Sequence, residues 1–254
     1  MFLRVCYFCD MSINKYAIEI AYKGTYFHGW QKQMNALSVQ GVLDEKLSVI
    51  LRQSIETLGC GRTDTGVHAK QFIAHFEAEM NISADQLSYK LNRLLPNSIA
   101  CFNIWQVENT FNARFDAKWR EYEYIITTKH NPFIVDTSWL YQLPLNIDLM
   151  NDACELLLKH NNFECFSKVH TQVNNFNCDL FIANWRKENE LIIFNIRANR
   201  FLRNMVRAIV GTLIAIGREE INLIDLIEIL ESKNRSKAGF SVPAHGLFLT
   251  KVQY

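Results

Sequence analysis

Gly61-Arg62-Thr63-Asp64-Thr65-Gly66-Val67-His68-Ala69 sets a cation, a hydroxyl and a carboxylate side by side between two glycines, with a histidine four positions beyond the acid. The segment is too polar for a core strand and too closely bracketed by glycine for a helix interior, so it reads as a tight loop. Loops that hold charged groups on a rigid scaffold are where chemistry concentrates. The bland alternative is an ordinary turn, with Asp64 and Thr63 bonded to local backbone and Arg62 in water. A second charged set lies far along the chain. At about 100° per residue, Arg200, Arg203 and Arg207 fall within about 60° of one another, opposite Phe201, Leu202, Met205, Val206, Ile209 and Leu213. No acid stands between Arg197 and Arg218 to pair with them. A face of arginines alone suits phosphate, or holds a carboxylate ionised; the competing account is a solvated helix face.

The elements that must position these groups are legible in the apolar spacing. Residues 15–22 alternate as a half-buried strand through Tyr16, Ile18, Ile20 and Tyr22. After a polar, glycine-marked loop, Ser38 caps a helix with the stripe Val39, Val42, Leu43, Leu47, Ile50 and Leu51. A short strand is weakly signalled before Asp64, and a clear one follows through Phe72, Ala74, Phe76 and Ala78. Ser83 and Gln86 form a capping box for a helix that Pro96 stops, and residues 99–107 are extended. This half reads βαββαβ. The second half repeats the order: strand 119–126, helix 147–158, strands 179–185 and 191–198, a long helix 200–216, another at 223–230, and a closing strand 247–252.

The predicted class is therefore α+β, with two βαββαβ, ferredoxin-like halves forming largely antiparallel sheet around a cleft. The expected divisions are residues 1–10 as an N-terminal extension, expected to be disordered, 11–108 as a domain carrying the Asp64 loop, and 109–254 as a domain completing the cleft. Met11, just before the first clean strand, marks where the folded part is expected to begin.

Composition narrows the function classes. Hydrophobic residues make up 49% and charged residues 21%, which is globular. With 27 basic and 26 acidic side chains the formal charge is +1, so a nucleic-acid binder of this composition must gather its cations on one face. Seven cysteines, odd in number and scattered, point to reduced thiols and a cytoplasmic setting. Cys6 and Cys9 stand as C-x-x-C without a second pair at zinc spacing, so no metal site is expected. No apolar run is long enough to cross a bilayer. Asp64 occupies the third glycine position after Gly59 and Gly61, which removes a dinucleotide fingerprint, and neither a Walker loop nor G-x-S-x-G occurs. Of the seven histidines, only His68 is held open, because it shares the Asp64 loop.

Residues 61–69 resemble the G-R-T-D-A-G-V-H-A motif of the tRNA pseudouridine synthase A family, and the likeness extends along the chain from Met11. Tyr22-Lys23-Gly24-Thr25-Tyr26-Phe27-His28-Gly29-Trp30-Gln31 is similar to the family's opening Y-x-G-x-x-F-x-G-W-Q, and Ser38-Val39-Gln40-Gly41 to its S-V-Q-G. Phe111, Ala113, Arg114 and Phe115 resemble F-H-A-R-F, Tyr122-Glu123-Tyr124 its Y-x-Y strand, and Phe201-Leu202-Arg203-Asn204-Met205-Val206-Arg207 its F-L-x-x-M-V-R. Pro243-Ala244-His245-Gly246-Leu247-Phe248-Leu249, with Val252 and Tyr254, resembles the family's ending. Thr65 stands where the family has Ala, Asn112 where it has His, and residues 162–168 depart from H-D-F-x-x-F.

The resemblance implies isomerisation of uridine in tRNA, at positions 38, 39 and 40 of the anticodon arm, without metal or other cofactor. The bond from ribose C1′ to base N1 breaks and one to C5 forms. Asp64 is implied as the catalytic carboxylate, attacking C1′ or removing a proton from C2′. Desolvation disfavours an ionised carboxylate, and Arg207 is implied as the cation that offsets this. Arg62 is implied to engage RNA and hold the target base out of the stack. Tyr122 is implied to take or relay the C5 proton while packing on the base, and Leu247 to line the base pocket. Strand alternation alone does not distinguish Tyr122 from Tyr124. A flipped nucleotide costs a few kcal/mol, which phosphate contacts offset; the candidates are Arg114, Arg200, Arg203, Lys23 and Lys32. The resemblance also implies a homodimer with tRNA across both subunits. Two other classes fit parts of the pattern: an RNA-binding module, which has no use for the Arg-Thr-Asp loop, and a nucleoside hydrolase, which usually wants a cluster of acids.

Overall fold

A computed structural model describes residues 13–168 and 175–254. The expected extension at 1–10, with Cys6, Cys9 and Met11, lies outside the described residues.

The first half contains β1 (Asn14–Tyr22), α1 (Val39–Leu51), β2 (Leu58–Gly59), β3 (His68–Ala78), α2 (Ala84–Leu94) and β4 (Ile99–Val107). The second contains β5 (Trp119–Thr127), β6 (Trp139–Leu140), α3 (Ile147–Leu158), β7 (Leu180–Glu188), β8 (Leu191–Ala198), α4 (Met205–Gly217), α5 (Leu223–Ser232) and β9 (Leu247–Gln253). All the strands join one sheet in the order β4-β1-β3-β9-β5-β8-β7, with β2 on β3 and β6 on β5. The long pairings are antiparallel. The halves meet where β3 and β9 run parallel for one short stretch, His68 opposite Phe248 and Ala69 opposite Leu249.

The caps behave as side-chain chemistry requires. The Ser38 Oγ accepts from the Gly41 N–H, and Ser83 and Gln86 satisfy each other's backbone in a reciprocal box. Apolar faces gather into two cores. One is built on Ile18, Leu43, Phe72 and Leu87, the other on Tyr124, Phe163, Phe194 and Met205. The seam between them falls at the start of β3, directly after the Asp64 loop.

One expected element is corrected. The helix predicted from Arg200 starts at Met205, so Arg200 and Arg203 lie before it and only Arg207 rides on it. Asn204 sits in the left-handed region at φ 66°, which no continuing helix tolerates. The Arg203 carbonyl accepts from the Lys168 N–H at 3.0 Å, and the Asn204 amide donates to the Ser241 Oγ at 2.6 Å. The chain turns before the helix because its backbone and Asn204 are engaged by other segments. β3 also begins earlier than the alternation from Phe72 indicates, because His68 and Ala69 pair in parallel with β9 while Ala69 also meets Tyr22 of β1.

Candidate active site

Asp64 opens a turn closed by the Val67 N–H on its carbonyl, 3.1 Å, with Gly66 at φ 81° supplying the positive-φ position. Thr63 turns its side chain inward, where its Oγ1 and the buried Tyr22 hydroxyl share a 2.9 Å hydrogen bond. Gly29 at φ 83° backs against this loop; a Cβ there would lie 2.2 Å from the Thr63 carbonyl oxygen. Thr65, where the family motif has Ala, is exposed, so its extra atoms meet no core. The result is a carboxylate fixed by backbone on both sides, with its side chain a quarter exposed.

Both carboxylate oxygens face guanidinium groups. Arg203 Nε lies 3.6 Å from Asp64 Oδ1, and Arg207 NH1 lies 3.7 Å from Oδ2. These distances are those of ion pairs rather than of hydrogen bonds. The two cations are held differently. Arg207 is 20% exposed and its Nε donates to the Val242 carbonyl at 2.7 Å, whereas Arg203 is 55% exposed.

Tyr122, on β5, packs edge-on against Phe201, with ring centroids 5.0 Å apart. Burial pushes its hydroxyl pKa far above the usual phenol value; the neighbouring Cys60 adds to this, Arg120 opposes it, and Asp64 adds again. Tyr124 has the same strand phase, but its hydroxyl donates to the Pro243 carbonyl at 2.8 Å within the second core. The two tyrosines that alternation leaves equivalent are thus separated by their partners. Leu247 begins β9 opposite Tyr124 and is buried.

His68 is a staple. Its Nδ1 accepts from the Gly24 N–H at 2.9 Å, which leaves the hydrogen on Nε2, 3.0 Å from the His245 carbonyl. One neutral imidazole therefore ties the 23–31 loop and the 243–246 turn to the start of β3. Burial lowers the pKa of His68, and of His75 and His245 as well. His75 Nδ1 likewise accepts a backbone N–H, from Ala113 at 3.1 Å. A histidine whose folded pKa lies below 6.5 favours the fold only while neutral. The unfolded chain takes up protons first, so stability is full above about pH 6.5 and is lost as pH falls toward the folded values. Denaturant midpoints are expected to drop between pH 7.5 and 5.5; a flat or rising midpoint would contradict these assignments.

The remaining predicted residues scatter around this centre. Arg62 is exposed, and its Nε donates to Gln31 Oε1 at 3.2 Å. Lys23 pairs with Asp136 at 3.0 Å, so that cation is already partly neutralised. Lys32 is exposed just before α1, Arg114 is exposed over the Phe115 ring, and Arg200 is half-buried. Asn112, in place of the motif's His, accepts from the Arg114 and Phe115 N–H groups and shapes that turn. Among the described residues no cluster of three or more histidine, cysteine, aspartate or glutamate side chains stands where it could hold a metal ion, and no helix is long and apolar enough to cross a membrane.

Sequence reasoning missed Tyr22 and Arg120. Arg120 NH1 donates to the Ala117 and Asn199 carbonyls at 3.0 and 2.9 Å, and its NH2 to those of Cys60, at 2.9 Å, and Arg114. The signal was present: Arg120 shares the inward phase of β5 with Tyr122, Tyr124 and Ile126, a place where an unpaired charge is out of keeping.

Comparison with known proteins identifies the family. The family model described as tRNA pseudouridine synthase matches residues 153–254. The chain is 44% identical over 246 residues to tRNA pseudouridine synthase A of Bacteroides fragilis, covering 96% of this chain and 98% of that protein. It is 45% identical over 245 residues to the protein of that name from Parabacteroides distasonis, covering 95% and 96%. Against that of Thermoanaerobacter pseudethanolicus it is 37% identical over 239 residues, covering 93% and 98%. With identity of this order along nearly the whole length of both partners, the chain belongs to the tRNA pseudouridine synthase family of isomerases.

Proposed function

We propose that this enzyme converts uridine to pseudouridine at positions 38, 39 and 40 of the tRNA anticodon stem-loop, with Asp64 as its essential carboxylate. The observation that carries the reading is the placement of Asp64 at the seam of the sheet, partly exposed, with one guanidinium at each oxygen. Residues 11–108 bring the Asp64 loop and 109–254 bring the arginines, Tyr122 and Leu247, so the cleft belongs to both halves.

Each residue has a task set by its surroundings. Attack on C1′ and proton removal from C2′ both need a free Asp64 oxygen, so one arginine must give way when the nucleotide arrives. Arg207 is anchored through Val242; Arg203 is the exposed one. Arg203 swings to a flanking phosphate while Arg207 stays. Arg62 fills the gap left by the flipped base, and Arg114, Arg200, Lys23 and Lys32 grip the backbone on either side. Tyr122, whose buried hydroxyl keeps its proton at neutral pH, receives the C5 proton only as it passes its own on. Its ring and Leu247 hold the uracil. A homodimer in the cytoplasm doubles the basic surface of a chain whose own formal charge is +1.

Incubating unmodified tRNA with the enzyme and mapping pseudouridine by sequence position tests the reading. Conversion at the three positions supports it. Free uracil would indicate a hydrolase, and tight binding without conversion an RNA-binding module. For Arg203→Ala, the slope of log affinity against log salt is expected to fall by about one, the share of one phosphate contact. An unchanged slope would remove Arg203 from the phosphate path.

A further inference from the structure

We infer that Arg120 is a positioning residue for the isomerisation, a guanidinium that sets the separation between the Asp64 loop and the segment carrying Arg203 and Arg207. The inference rests on the reading of Asp64 and Arg207 as the reaction centre. Three separate stretches of chain end on this one side chain. Cys60, whose carbonyl it binds at 2.9 Å, precedes Asp64 by four residues, and Asn199, also bound at 2.9 Å, precedes Arg203 by four. The carbonyls of Arg114 and Ala117 complete the set, fixing the turn before β5. Across the seam the backbone pairing is short, His68 and Ala69 with Phe248 and Leu249, and side chains supplement it at His68–His245, Gln71–Val252 and Lys70–Glu123. None of these links includes the carbonyls of Cys60 and Asn199, which Arg120 joins to each other.

Arginine suits the task by shape. Its planar fork spreads five N–H donors, so two terminal nitrogens reach four acceptors lying in different directions. Lysine offers three donors from a single atom and cannot span the same carbonyls. Among the described residues no carboxylate pairs with Arg120, and its acceptors are all backbone oxygens. A half-buried cation without a counter-ion is a poor choice for stability alone. It also sits two residues from Tyr122 on the same strand phase, and its field opposes the burial that raises the Tyr122 hydroxyl. Position and charge therefore act on the same centre.

The test compares Arg120→Ala and Arg120→Lys with wild type and with Asp64→Ala, using full-length enzyme and unmodified tRNA. A shift of about 1 Å in a reacting group costs about 100-fold in rate, so kcat is expected to fall by about that factor in both Arg120 variants. tRNA affinity should change far less than kcat, since Arg120 itself touches no RNA and only the backbone beside the grips at Arg114 and Arg200 is loosened. Added guanidinium, below denaturing concentration, should restore much of the lost kcat to Arg120→Ala and none to Asp64→Ala. Should Arg120→Ala fail to fold, Arg120→Lys keeps the charge and length and carries the kcat comparison alone. The inference is overturned if a folded variant turns over within about twofold of wild type. It is equally overturned if kcat and tRNA affinity fall together, which would make Arg120 an RNA contact. Isomerisation surviving in Asp64→Ala would instead bring down the reading of the reaction centre, whatever Arg120 does.

Discussion

Asp64→Ala is expected to lose isomerisation by at least about 10⁴-fold, the scale seen when a group that reacts directly with substrate is removed, while tRNA still binds. The separation of the two effects follows from the site. Asp64 is held by its own turn, by the Thr63–Tyr22 bond and by Gly29 behind it, and its side chain reaches outward from that frame. Removing the carboxylate deletes the oxygen proposed to react and leaves the frame in place. Binding should tighten if it changes at all, because Arg203 and Arg207 are then unopposed near a polyanion. Nucleoside chromatography after digestion reads the first effect, and filter binding at fixed salt the second. Loss of binding in step with activity would mean that Asp64 shapes the RNA surface instead of reacting.

Arg207→Ala carries the next largest effect. A turnover loss of about 10²–10³-fold is expected, the size of removing one preorganised charge from a reaction centre, with tRNA affinity changed by less than about threefold. The Nε bond to Val242 explains why affinity is spared: Arg207 is committed to the protein through Nε and faces Asp64 through NH1. Arg207→Lys should recover little, because an ammonium cannot bond Val242 and face Asp64 with separate nitrogens in a fixed plane. Equal loss of turnover and affinity would refute this role.

Much of the frame was legible in the residue pattern because its causes are local. Alternation in β1 and along Phe72 to Ala78 of β3, the Ser38 and Ser83 caps and the glycines bracketing Asp64 each state their geometry within a few positions. What escaped depends on segments far apart in sequence. The start of α4 moved because Asn204 reaches Ser241, thirty-seven residues away, and because the Arg203 carbonyl is engaged by Lys168. That shift took Arg203 out of a helical stripe and set it over Asp64. Tyr122 and Tyr124 were indistinguishable until Pro243 proved to occupy one hydroxyl. His68 stood beside Asp64 in sequence, yet both of its nitrogens are spent on backbone, which makes it a fastening. Arg120 had a readable anomaly in its inward phase, but its four acceptors lie on separate stretches that only the folded sheet unites.

Isomerisation replaces the hydrogen on uracil C5 with the bond to ribose, so release of tritium from tRNA carrying [5-³H]uridine reports the reaction without reference to any intermediate. Wild-type enzyme in excess over such tRNA is expected to release tritium from the anticodon-arm uridines to completion, while Asp64→Asn, matched in shape but without the charge, binds the same tRNA and releases none above background. Release by Asp64→Asn at a rate near that of wild type would contradict the account at its centre.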